Sequence, residues 1–323
     1  MISSSTSGTA SGSFATGGRY VVKSEINHRD DNEDSFLITE LTPVLAGPVL
    51  PVLAIADGMG GLEHGGDVSR EALRRTVLAL LESIQIEPRL NRSDTAEPMT
   101  VEVLQKALWG ALEQANAQVR RMVQANGWHT AGSTIVVALL VGETVVAANL
   151  GDSPLFHYDA TGQKLVKITR DHSVAGVLLR AGMISPEMAR HHEGRSRLEF
   201  FVGAPSLPRE ISVYNRPLHQ GDLLLLCTDG VSGSLSHERL TELLATAGGD
   251  LERTADALIK AGRDLGEKDN QTLILWWHGS EQTERQSADA GETSTVAQMV
   301  GAVEQPDRSP TVSGGDTGDG MAV

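Results

Sequence analysis

Apolar residues recur at three- and four-residue steps through Val101, Leu104, Leu108, Leu112, Ala115, Val119 and Met122, the period of a helix with one buried face. The stripe stops near Asn126-Gly127, a suitable C-cap. Ala72, Val77, Leu80, Leu81 and Ile84 predict an earlier helix over Asp67 to Ile84. The polar run Glu87 to Pro98 between the two reads as a loop. Other apolar runs are short. Tyr20 to Val22, Ser35 to Ile38, Pro51 to Ala56, Pro154 to Tyr158 and Thr272 to Trp277 read as strands. Ser133 to Val141 and Thr144 to Asn149, joined by Gly142-Glu143, read as a hairpin. Leu223 to Cys227 is apolar throughout, as a buried strand is. Helices are expected at about His237 to Ala245 and Leu251 to Leu265. Two long helices followed by a meander of strands predict an α+β fold rather than alternating βαβ units. No internal repeat is visible.

The two ends of the chain break this pattern. Met1 to Gly18 is Ser, Gly and Thr without an apolar run, so a flexible arm is expected and no signal-peptide pattern is visible. From Gly279 onward Ser, Thr, Gly, Asp and Glu dominate, and residues 279–323 are expected to form a disordered acidic tail. Residues 19–278 read as a single domain. The 323 residues, 40% of them hydrophobic, allow one core of about 250 residues plus tails.

The net charge of −15 changes the picture more than the length does. The tail's eight acidic and two basic residues contribute only −6 of it, so the domain itself is acidic. A nucleic-acid partner, which calls for a basic surface, is not expected. Phosphate chemistry in so acidic a protein would draw its positive charge from metal ions. The apolar stretch Val44 to Ala56 contains Pro48 and Pro51 and is too short to span a bilayer. Cys227 is the lone cysteine, so no intrachain disulfide forms. A cytoplasmic, monomeric protein without membrane contact is the expectation.

Candidate chemistry sits in acidic residues at strand ends and Gly-containing turns. These are Glu33 and Asp34 in Arg29-Asp-Asp-Asn-Glu-Asp34, Asp57 in Asp-Gly-Met-Gly-Gly61, Asp152 in Asn-Leu-Gly-Asp152, Asp229 in Leu-Cys-Thr-Asp-Gly230 and Asp269 in Asp-Asn-Gln-Thr272. A lone Asp-Gly after a strand is usually a turn. Together, these residues are the oxygen donors that hard divalent ions such as Mn²⁺ and Mg²⁺ prefer. No His/Cys spacing suits zinc.

These segments resemble, in order and over about residues 17 to 278, the metal-dependent protein phosphatases of type 2C in their bacterial form. The resemblance also runs through Gly132-Ser-Thr134, Gly151-Asp-Ser153, Thr169-Arg-Asp-His-Ser173 and Gly221 to Gly230. It implies a four-layer αββα sandwich of two antiparallel sheets flanked by helices. It implies hydrolysis of protein phosphoserine and phosphothreonine by a metal-activated water at a two-ion Mn²⁺ or Mg²⁺ centre. Asp57 would bridge the ions, Gly58 (through its carbonyl) and, through water, Glu33 would complete one shell, and Asp229 and Asp269 would hold the other ion. Asp34 would orient or deprotonate the attacking water, and Arg29 would bind the phosphate. Asp152 with Asp229 resembles the place of a third ion. The partners implied are phosphoproteins, substrates of a cognate Ser/Thr kinase.

Blander readings stand beside these. Arg29 could pair with Asp30 or Asp31, and Asp152 could be a turn residue. Asp171 and His172 read as a turn-capping acid and a structural histidine. His191 and His192 read as solvated flap residues, Ser133 and Thr134 as strand packing, and Cys227 as core. Three departures from the family pattern stand out. Met59 replaces a His of many eukaryotic members, Pro154 replaces an Arg, and Glu199-Phe200 replaces a polar pair in the flap between Ser173 and Gly221. The alternative from another class is a catalytically weak pseudophosphatase that senses phosphoprotein or metal. The intact acidic set argues against it.

Overall fold

The computed structural model describes residues 2–3, 7–42, 48–59, 64–90, 99–128, 131–209, 212–247 and 249–279. One antiparallel sheet runs in the order β1 (Ile2–Ser3), β4 (Asp34–Leu41), β5 (Leu50–Met59), β7 (Ile135–Val141), β8 (Thr144–Leu150), β11 (Val213–Pro217), with β6 (Gly132–Ser133) on the end of β5. The other runs β10 (Lys164–Lys167), β9 (Leu155–Asp159), β12 (Leu223–Cys227), β13 (Gln271–Trp277), β3 (Arg19–Glu25), β2 (Gly8–Ser13). The helices are α1 (Gly65–Leu90), α2 (Val101–Ala125), α3 (Val174–Arg180), α4 (Pro186–His191), α5 (Asp229–Ser232), α6 (His237–Ala245) and α7 (Leu251–Asp264).

The layering follows from the two-residue period of strands whose faces are both buried. Val52, Ala54 and Ala56 of β5 join Val68 and Leu73 of α1 and Leu104 and Leu108 of α2 in one core. The intervening Leu53 and Ile55 join Leu224, Leu226, Ile274 and Trp276 in a second core, between the sheets. Leu223, Leu225, Leu273 and Leu275 take the opposite face and pack with Leu240, Leu244, Leu258 and Ile259 of α6 and α7. The result is helix, sheet, sheet, helix, the sandwich that the motifs imply. Hydroxyl and carboxylate caps fix where helices begin. Thr100 accepts from Val103 N at 3.3 Å for α2, and Asp250 accepts from Arg253 N at 3.0 Å for α7.

The expectation of a flexible arm over Met1 to Gly18 is corrected for its described residues, 2–3 and 7–18. β2 pairs with β3 along its whole length, Gly8 opposite Ser24 through Ser13 opposite Arg19, and Ile2–Ser3 pair with β4. An edge strand needs backbone hydrogen bonds rather than an apolar stripe, so its composition conceals it. Phe14 then turns into the core between the sheets. The expected loop Glu87 to Pro98 is also shortened, because α1 continues to Leu90; residues 91–98 lie outside the described residues. So does the expected acidic tail beyond Gly279.

Candidate active site

One end of the sandwich gathers the acidic positions. Asp34 opens β4 and Asp57 lies near the end of β5, directly opposite each other in the ladder. Asp229 follows β12 and opens α5, Asp269 precedes β13, and Asp152 follows β8. Two sheets packed face to face therefore deliver carboxylates from both layers to one edge.

The segment Gly132 to Thr134 holds the backbone of Asp57. Asp57 N donates to Thr134 Oγ1 at 3.0 Å, Thr134 N donates to Asp57 O at 2.8 Å, and Ser133 Oγ donates to the same carbonyl at 3.0 Å. Thr134 Oγ1 also lies 2.6 Å from Ser153 Oγ, beside Asp152. Ser133 and Thr134 thus do more than pack a strand. Gly58 sits so close to the carbonyl of Gly65 that any side chain there would collide with it. A side chain on Gly65 would in turn meet the Glu33 carboxylate and lie 2.9 Å from the Gly58 carbonyl. Glu33 and the Gly58 carbonyl therefore border the same small space.

Other partners were hidden in the sequence because they are common polar residues inside strands and loops. Thr228 Oγ1 donates to Asp34 Oδ2 at 3.0 Å and accepts from Thr272 N at 3.1 Å. Asn270 Oδ1 accepts from Glu33 N at 2.9 Å, while its amide donates to Ile26 O and Asp31 O at 2.9 and 3.0 Å. Asn270 thereby ties the Arg29–Asp34 loop to β13. The signal available for it was its place directly after Asp269.

Electrostatics set this cluster apart from ordinary turns. Asp34 is 1% exposed, and burial lifts its pKa to about 7, against hydrogen bonds from Thr272 and Thr228. Burial likewise lifts Asp229 to about 6, with Asp269 and Glu267 adding repulsion. Asp57 and Asp152 are pushed well above the usual carboxylate range by burial and by neighbouring carboxylates. Glu33 is raised too, chiefly by burial. At the exposed rim, Arg29 pairs with Asp269 at 2.7 Å, rather than with Asp30 or Asp31. That hydrogen bond is the main reason its pKa rises.

Crowded oxygen donors with excess negative charge fit hard divalent cations. Among the described residues, no three His, Cys, Asp or Glu side chains form a ready cage for an ion. Ions bound here would also draw on backbone carbonyl and water oxygens, as such cations commonly do.

The blander readings hold for several other residues. Asp171 is no metal ligand here, but neither does it cap a turn: both its carboxylate oxygens meet Lys167 Nζ, at 2.6 and 2.7 Å. His172 is buried, accepts from Gly151 N at 3.3 Å, and burial lowers its pKa to about 4, so it is a neutral structural histidine. His191 is exposed and meets Glu187. Cys227 is fully buried, and burial lifts its thiol to about 12.

Residues 23–259 match the family model for protein phosphatase 2C. The chain belongs to the protein phosphatase 2C family. Serine/threonine phosphatase stp of Listeria monocytogenes serotype 4b is 31% identical over 229 residues, covering 70% of this chain and 83% of that protein. A crystal structure of a bacterial serine phosphatase aligns with a TM-score of 0.65 at 25% identity, covering 81% of this chain and 98% of that one. The catalytic domain of the phosphatase PstP, solved with two manganese ions, has the same fold, with a TM-score of 0.61 at 24% identity over 80% of this chain and 97% of that one.

The raised carboxylates of this phosphatase 2C chain give a signed pH dependence. Asp34 and Asp229 ionise near 3.8 in an unperturbed setting and hold their protons to about 7 and about 6 here. Stability from a raised carboxylate is complete below its ordinary pKa and is lost as pH rises through the folded value. With metal chelated, the melting temperature should fall between about pH 4 and about pH 7, and Mn²⁺ added at the upper end should raise it again. Thermal melts with EDTA test this; a flat or rising melting temperature in EDTA would contradict it.

Proposed function

We propose that this protein serine/threonine phosphatase removes phosphate from protein phosphoserine and phosphothreonine through attack of a water at a two-ion Mn²⁺ or Mg²⁺ centre. The observation that supports the reading most is the crowding of Asp34, Asp57, Asp229 and Asp269, whose raised pKa values or mutual repulsion call for cations. In this reading Asp57 would be shared by the ions, the Gly58 carbonyl and, through water, Glu33 would hold one, Asp229 and Asp269 would hold the other, and Asp152 with Asp229 would offer a third place. Bound there, the ions would neutralise the carboxylates, acidify a water and polarise the phosphate.

The remaining work falls to the chain. Asp34 is held at Oδ2 by Thr228, and with its proton displaced by bound ions its carboxylate would accept the proton of the attacking water. Arg29 exchanges Asp269 for the substrate phosphate, which its planar fork can hold through two oxygens. The complete acidic set supports turnover over the pseudophosphatase alternative. The substrates would be products of a partner Ser/Thr kinase in the cytoplasm. No described helix is long and apolar enough to cross a membrane.

Hydrolysis of p-nitrophenyl phosphate and of a phosphothreonine peptide, with and without Mn²⁺, tests the reading. Mn²⁺-dependent release from both is expected; no release from either would sink it. Asp57→Asn should lower turnover by about 10² or more, the scale of losing a main transition-state stabiliser. Near-normal activity would remove Asp57 from the bridging role. Arg29→Ala should raise KM by about tenfold, with a smaller effect on kcat, if it binds the ground-state phosphate. Unchanged values of both constants would count against it.

A further inference from the structure

Two residues of β13 bracket Asp229. On the side that precedes it in the chain, Thr228 N donates to Thr272 O at 3.0 Å and Thr228 Oγ1 accepts from Thr272 N at 3.1 Å. On the side that follows it, Gln271 Nε2 donates to Gly230 O at 3.0 Å. The same amide reaches Ile259 O of α7 at 3.4 Å. A side chain on Gly230 would collide with the Asn270 carbonyl and lie 3.4 Å from Asp269 Cβ. The turn that carries Asp229 is thus seated directly on the strand end that carries Asp269.

Gln271 departs from the rule of its own strand face. It is fully buried, and it shares the helix-facing side of β13 with Leu273 and Leu275. Those neighbours are apolar, as a packed core favours. A buried amide costs stability unless it is hydrogen-bonded, and here its nitrogen joins three elements, β13, α5 and α7. Three successive residues then take three tasks. Asp269 meets Arg29, Asn270 holds the Arg29–Asp34 loop, and Gln271 holds the Asp229 turn.

We propose that Gln271 is a positioning residue: by tying the Asp229 turn to β13 and α7, it sets the spacing of Asp229 and Asp269, and with it the affinity for the ion that those two would hold. The inference rests on the two-ion reading above. Residues that orient a metal ligand without touching the metal typically change its affinity by about 10- to 100-fold when removed. Gly262 of α7 gives independent access to the same contact. A Cβ there would lie 2.7 Å from Gln271 Nε2, and 3.4 Å from Ser234 Oγ. The amide is the movable end of a side chain, so it would yield by leaving the Gly230 carbonyl. Alanine itself suits a helix better than glycine does.

Titration calorimetry with Mn²⁺ tests it on the wild-type protein, Gln271→Met, Gly262→Ala and the double variant, beside thermal melts of each in EDTA. Methionine keeps the length of the side chain and loses the donor. Each single variant should weaken Mn²⁺ binding by about tenfold or more. The double variant should be no weaker than Gln271→Met alone, because both changes act through one contact. Gly262→Ala should show its loss without a lower melting temperature in EDTA, which separates positioning from lost stability. It decides alone if Gln271→Met does not fold. Wild-type Mn²⁺ affinity in Gly262→Ala or in a folded Gln271→Met, or losses that add in the double variant, would overturn the inference and leave the two-ion reading intact. A wild-type protein that binds no Mn²⁺ would overturn both.

Discussion

The structure depends on holding carboxylates together against their own repulsion. Asp34 and Asp57 face each other across one ladder, and Asp229 approaches from the other sheet. Each resists ionising, first because it is withdrawn from water and then because its neighbours carry the same charge. Removing an ion from water costs several kcal/mol even after relaxation. Such an arrangement persists only on a rigid frame. Strand ends supply that frame, because each is fixed by a ladder and by apolar cores on both faces.

The polar residues around the cluster transmit that rigidity. Thr134 and Ser133 fix the Asp57 backbone, Thr228 fixes Asp34, and Asn270 fixes the loop that carries Glu33. Ser24 and Thr272 meet at 2.8 Å, and Asn32 donates to Ser24 at 2.9 Å, extending the same network under the site. These bonds act on backbone and on Asp34, while the side chains of Asp57 and Asp229 meet each other by a hydrogen bond.

Much of this was legible in the sequence because the core is regular. The stripe from Leu104 to Val119 and the run Leu223–Cys227 name their own elements, since burial on one or both faces leaves a periodic or continuous apolar mark. The acidic positions were legible through their order along the chain, each beside a turn. Edge strands were not. Gly8–Ser13 and Lys164–Lys167 are held by backbone pairing, which leaves little trace in side-chain polarity. Nor was the Arg29–Asp269 pair, which joins residues 240 apart in sequence. The roles of Thr228 and Asn270 were equally hidden, because a hydroxyl or amide inside a motif looks the same whether it packs or positions an acid.

The most direct test of the central constraint is the proton count of Mn²⁺ binding. Titration calorimetry near pH 6, in two buffers of different ionisation enthalpy, measures protons released as metal displaces them from the carboxylates. Because Asp34 and Asp229 hold protons to about 7 and about 6, with Asp57 and Asp152 raised as well, binding should release about one proton or more. Binding with no proton release would mean that the carboxylates are already ionised and uncrowded, and would contradict the account.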